Sequence, residues 1–132
     1  MANTTKQSRI KCVTGSRTLA EVKAGSQILP GFAGSYIVVG GWLRSVGADC
    51  AGADSVNISD TAGTPVVAVA VAVGPLDDGV INRLDAAANT TRTTFGTSLT
   101  YGKGLQILDA GAGALSGPTT VDFAVYYQTV SG

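Results

Sequence analysis

The run TPVVAVAVAV at residues 64–73 narrows the possible folds more than any other stretch of the chain. In an extended strand, successive side chains point to opposite faces. Val67, Val69, Val71 and Val73 therefore share one face, and Val66, Ala68, Ala70 and Ala72 share the other. Both faces are apolar, whereas a strand wetted on one side carries polar residues at every second position. The β-branched residues disfavour a helix, and the run is much shorter than the ~18 apolar residues of a membrane-crossing helix. The expectation is the central strand of an antiparallel domain. Its valine face packs into a core, and its alanine face lies close to a covering surface, in part that of another protein.

The flanking pattern is also strand and turn. Residues 9–13 and 17–23 read as two short strands separated by the Thr14-Gly15-Ser16 turn signal. Ile28-Leu29 is closed by Pro30, which has no N–H for a ladder, and so belongs to an edge or a loop. In SYIVVGGWL, residues 35–43, alternation sets Tyr36, Val38, Gly40 and Trp42 against Ile37, Val39, Gly41 and Leu43. The glycine pair marks a bulge, a bend or a close approach by a bulky partner. Residues 54–59 form a strand with Val56 and Ile58 inward and Ser55, Asn57 and Ser59 outward, and Asp60 then accepts a backbone hydrogen bond in a turn.

A strand begins over residues 80–84, a helical turn capped by Asp85 spans 85–89, and further strands cover 95–101, 105–108 and 121–130. In the last of these, Val121, Phe123, Val125, Tyr127 and Thr129 form a core face. The opposite face is mixed, as at a subunit contact. About eight or nine short strands with glycine-rich turns indicate an all-β, antiparallel β-sandwich, jelly-roll-like in character. An extended N-terminal arm at residues 1–8 precedes a single domain at residues 9–132.

The absence of histidine from the 132 residues removes imidazole bases, Ser-His-Asp arrangements and the usual zinc ligands. Cys12 and Cys50 are too few for a disulfide framework and read as buried free thiols. Asp77 and Asp78 are adjacent and point to opposite faces, which fits a solvated turn better than a cation site. Gly102-Lys103-Gly104 lacks the Ser/Thr, the upstream glycine and the helix of a phosphate loop. The hydroxyl-rich residues 90–100 have only Phe95 and Tyr101 as aromatic platforms for a sugar. No nucleophile–base pair is visible, so neither enzyme activity, a metal nor a cofactor is expected. The start lacks the apolar segment of a secretory signal, which implies synthesis for the cytoplasm and no membrane association.

Charge points instead to binding. Charged residues make up 14% of the chain, net charge is zero and mean hydropathy is +0.27, a balance that favours apolar surface covered by partners over a solitary monomer packed tightly with Ala and Gly. Residues 1–23 carry Lys6, Arg9, Lys11, Arg17 and Lys23 against Glu21 alone, and the rest of the chain is acidic. With no aromatic residue among them, these bases make a poor nucleic-acid footprint. They suit an acidic protein surface such as that of a neighbouring copy. Trp42, the sole tryptophan, either covers a core or loop or stands at an interface. Lys6, Arg9, Lys11, Arg17 and Trp42 are the expected partner contacts.

A short polar and basic arm (MANTTKQSRIK), a β body rich in Gly, Ala, Val and Thr, the segment DTAGTPVVAVAVAV and the closing pattern YGKGLQILDAGAGALSGPTTVDFAVYYQTV together give the chain its style. In these features it resembles the small head-decoration (cement) proteins of tailed bacteriophages. The resemblance implies a dimeric or, preferably, trimeric knob that is made in the host cytoplasm and binds the outer capsid lattice after expansion. Its partner would be the major capsid protein, and its location the virion surface. A tail, baseplate or fibre component, or a host-surface carbohydrate-binding module, is the competing function class.

Overall fold

The chain winds into nested antiparallel pairs. A computed structural model describes residues 6–86 and 89–131. In chain order the elements are β1 (Lys6–Gln7), β2 (Lys11–Thr18), α1 (Leu19–Ala24), β3 (Ser26–Leu29), β4 (Gly34–Val46), β5 (Ser55–Asp60), β6 (Val67–Ala72), β7 (Ile81–Arg83), β8 (Thr90–Thr91), β9 (Leu105–Ala110) and β10 (Thr120–Ser131). One sheet runs β1-β10-β4-β7, with β2 also paired to β10; the other runs β3-β9-β5-β6-β8. Strand β2 pairs with β10, β3 with β9, β4 with β7 and β5 with β6, each outer pair enclosing the next in sequence. This is the antiparallel sandwich expected from the sequence, wound as a jelly roll.

The inner faces meet in one core. Val38, Leu43, Val121, Phe123 and Val125 from the first sheet pack with Val56, Ile58, Val69, Val71, Leu105 and Ile107 from the second. Each such side chain contributes roughly 1.5–3 kcal/mol by leaving water. The inward positions expected in β5 and β10 are the ones observed. On the outward side of β5, however, Asn57 and Ser59 are buried as well.

Several sequence expectations change. Strand β6 lies second from its edge, covered beyond by the two-residue β8, and β5 holds the middle of the sheet. Pairing in β5–β6 passes from Ile58 opposite Val69 to Ser59 opposite Val67, which leaves Ala68 as an extra residue, turned into the core beside Val69 and Val71. A similar step occurs in β4: Tyr126 opposes Gly40 and Tyr127 opposes Val38, leaving Val39 unpaired. Tyr36, Val38 and Leu43 therefore all reach the core, although strict alternation sets Leu43 against Tyr36. Gly41 completes the bulge at φ +130°, where a Cβ would sit 2.0 Å from the carbonyl oxygen of Ala124.

Residues 17–23 do not form a second strand. Strand β2 continues straight through Gly15, where the Phe123 ring leaves no room for a Cβ, and ends at Thr18. The Thr18 hydroxyl accepts the Glu21 N–H (3.2 Å), and the Glu21 carboxylate accepts the Thr18 N–H (2.9 Å), a reciprocal cap that starts α1. Hydrogen bonding from Thr18 to the carboxylate, its backbone N–H foremost, also holds the Glu21 carboxyl below its ordinary value. Val22 enters the core, and Gly25 at φ +82° ends the helix.

Residues 95–101 are a loop rather than a strand. Gly96, Leu99 and Gly102 donate N–H groups to Val38, Tyr36 and Gly34, one every third residue, along the free edge of β4. The helical turn expected at 85–89 falls partly on Ala87 and Ala88, which lie outside the described residues. So do residues 1–5 of the expected arm, while Lys6 and Gln7 pair with Ser131 and Val130.

Asp60, at the end of β5, joins the sheets. Its carboxylate accepts the N–H groups of Ala62 (3.1 Å) and Val66 (2.9 Å), and the N–H (3.0 Å) and hydroxyl (2.5 Å) of Thr100. The expected turn hydrogen bond is present, with more partners than a turn supplies.

Candidate interaction surface

The outward face of the β10-containing sheet is built from cross-strand rows. Cys12, Tyr126 and Gly40 form one row, Thr14, Ala124, Trp42 and Arg83 the next, and Ser16, Asp122, Arg44 and Ile81 the third. Small residues in the centre let large ones lie down: the Tyr126 ring crosses Gly40, where a Cβ would come within 3.0 Å of it. Trp42 is half-buried beside Ala124, and the Arg44 guanidinium lies 5.4 Å from its ring centroid.

Arg44 also pairs with Asp122 at 2.8 Å. The hydrogen bond from Arg44, helped by one from Ser16, holds the Asp122 carboxyl below its ordinary value against the upward push of burial. Tyr126, Ile81 and the neighbouring Val80 are 40%, 51% and 48% exposed, which makes the face apolar in patches and rimmed by charge.

The five expected contacts do not converge on one spot. Trp42 belongs to this face. Lys6, Arg9 and Lys11 follow one another along the edge beside the last residues of β10, with Arg9 and Lys11 exposed. Arg17 turns inward instead: it donates to the Ser26 hydroxyl (2.8 Å) and the Gln27 carbonyl (3.1 Å), and lies 5.2 Å from the centroid of the Phe123 ring. Its guanidinium bridges the edge strands β2 and β3. Arg44 and Tyr126 are the face residues that the sequence reading did not single out. Arg44 is readable as the second residue after Trp42 on the same strand face, and Tyr126 as part of the mixed face of β10.

The alanine face of β6 floors a depression of about 350 Å³ at Ala70 and Ala72, walled by Asp54, Ser55, Asn89, Thr90 and Thr91. Part of the close cover expected there thus comes from the chain itself. Cys50 is buried and its thiol is pushed up by burial, but Cys12 is exposed on its edge strand, contrary to the expectation of two buried thiols; the two do not pair. Asp77 and Asp78 lie in an exposed turn. No group of three or more potential metal ligands occurs among the described residues, and no helix there is long and apolar enough to cross a membrane.

No protein-family model matches the chain, and no curated protein does. Among solved structures, it is similar to a chain of the cyanophage Pam1 capsid asymmetric unit, with a TM-score of 0.53 and 16% identity over 93% of this chain and 85% of that one. At this identity the likeness is one of fold.

Proposed function

We propose that this chain is a structural protein of a phage virion that decorates the outer surface of the capsid as an oligomeric knob, a trimer by preference, and stabilises the shell. The observation that carries this reading is the fold likeness to a phage capsid chain, which extends over almost the whole sandwich. The Trp42 face supports it, since aromatic residues with a charged rim suit a protein partner, here the major capsid protein. Function on this reading is binding without chemistry. A protein that binds only the expanded shell stabilises it by mass action, and many repeated contacts reinforce one another.

Sedimentation with expanded and unexpanded shells tests the proposal. The expected result is saturable pelleting with expanded shells alone. Replacing Trp42 and Tyr126 together by Ala is expected to lower the affinity by roughly tenfold or more. Equal pelleting with both shell forms, or none with either, overturns the reading.

A further inference from the structure

The nine basic and nine acidic residues cancel in number but not in place. At one end of the sandwich stand Gly34, Asp60, Leu105 and Ser131, tied together by Gly102 N–H to Gly34 and Thr61 N–H to Gly104. The connections there (residues 30–33, 61–66 and 92–104) and residues 6–10 contain Lys6, Arg9, Arg92 and Lys103 and no acid. Lys11 opens β2 at the same end, opposite Tyr127. The acid found here is Asp60, which is turned inward onto its four donors.

At the far end stand Val46, Ser55, Ala72, Ala110 and Thr120, tied by Gly79 N–H to Ser45 and by the Ala51–Ser116 bridge. Of its connections, residues 47–54, 73–80 and 111–119 contain Asp49, Asp54, Asp77 and Asp78 and no base, while α1, which follows Thr18 opposite Thr120, brings Glu21 and Lys23, one charge of each sign. Asp109 adds a half-buried carboxylate beside them.

Arg9, Lys11 and Lys103 are exposed, as are Asp49, Asp77 and Asp78. Among the described residues, the ion pairs are Arg44–Asp122 and Arg83–Asp85, both between the two ends, so neither end is neutralised from within. The basic end also carries Ile10 and Tyr101, 64% and 58% exposed, the most exposed large apolar side chains among the described residues.

We propose that the basic end of one copy docks on the acidic end of the next, with Arg9, Lys11 and Lys103 meeting Asp49, Asp77 and Asp78 while Ile10 and Tyr101 leave water. Strand β10 has 12 residues and so spans about 40 Å, several times the Debye length of about 8 Å at physiological salt. A neighbouring molecule therefore meets each end as a separate, strongly charged surface. Charge complementarity makes the second copy the occupant, because both surfaces belong to the same chain. The contact is heterologous: it closes a ring if successive copies turn, and grows an open stack if they do not. It deepens the oligomeric part of the proposed function, but its test uses no shell, so either can fail without the other.

Analytical ultracentrifugation of the full chain at about 50 mM and about 500 mM NaCl supplies the test. The expected result is a mass above the 13.2 kDa protomer at low salt, with a dissociation constant that rises roughly tenfold or more at high salt. Lys11→Glu with Lys103→Glu, and separately Asp77→Lys with Asp78→Lys, are each expected to abolish association, and an equimolar mixture of the two variants to restore it. Should a reversal variant fail to fold, Asp77→Asn with Asp78→Asn replaces it, with weakened association expected. A wild type that stays at protomer mass at low salt, association that is indifferent to salt, or a mixture of folded variants that does not reassociate overturns the proposal.

Discussion

Asp60 concentrates more of the fold's polar bonding in one side chain than any other described residue. Burial pushes its carboxyl up, but the hydroxyl of Thr100 and the N–H groups of Val66, Thr100 and Ala62 outweigh that and leave it below the ordinary 3.8. A folded-state value below the unfolded one contributes stability that is fully present above the unfolded value and is lost as pH falls through the folded one. The ionised carboxylate therefore stabilises the sandwich at neutral pH and loses that contribution below about pH 4. Asp60→Asn keeps the shape but turns one acceptor into a donor that faces the Thr100 N–H and hydroxyl, or else the Ala62 and Val66 N–H groups. A loss of about 2–4 kcal/mol at pH 7 is expected, with the gap to wild type narrowing as the wild type is acidified. Urea unfolding of both proteins from pH 7 to pH 3 checks this; a pH-independent gap contradicts the assignment.

At the scale of elements, one residue of register decides which side chains are inside. Gly41 lies in the positive-φ region, and any Cβ there meets the Ala124 carbonyl. Gly41→Ala is expected to cost about 2–4 kcal/mol. Gly74→Ala, at a glycine with open space around it, is expected to stay within about 0.5 kcal/mol of wild type. Thermal melts of the pair measure the contrast, and equal melting temperatures would show that the bulge tolerates a side chain. The glycine pair that marks this bulge is plain in the sequence, and so are the two faces of β10. What the sequence conceals is the parity change, since a bulge inverts the facing of every residue beyond it and nothing local says which residue is extra. Helix α1 is a different kind of miss: its Thr18-x-x-Glu21 cap is legible, but the alternation of Leu19, Ala20, Glu21 and Val22 competes with it, and only burial of Val22 decides. On the candidate surface the sequence singles out Trp42 and shows Tyr126 only as a member of the mixed face of β10. The inward turn of Arg17 depends on Ser26 and Gln27, and the separation of charge between the two ends depends on which loops the winding gathers together.

That winding also sets how the whole molecule folds. Strand β10, the last element, is flanked by β4 on one side and by β1 and β2 on the other, and β2 runs from Lys11 opposite Tyr127 to Thr18 opposite Thr120. The opening and closing segments of the chain must therefore meet before either can be satisfied. No local hairpin offers a shortcut for this pairing, because the nested pairs β3–β9 and β4–β7 lie between its two ends in sequence. Closing such long loops spends entropy before the contacts return it, so refolding is expected to take roughly milliseconds to seconds. Trp42, the single tryptophan, half-buried against Arg44 on the strand that pairs with β10, reports the step directly. Stopped-flow fluorescence from urea should show its native emission returning on that timescale. A variant cut after Thr119 should lack the native signal altogether, since β4 and β2 then have no strand between them. Full recovery in well under a millisecond, or native emission from the truncated chain, would mean that the sandwich forms from local pairs and that its last strand is an addition.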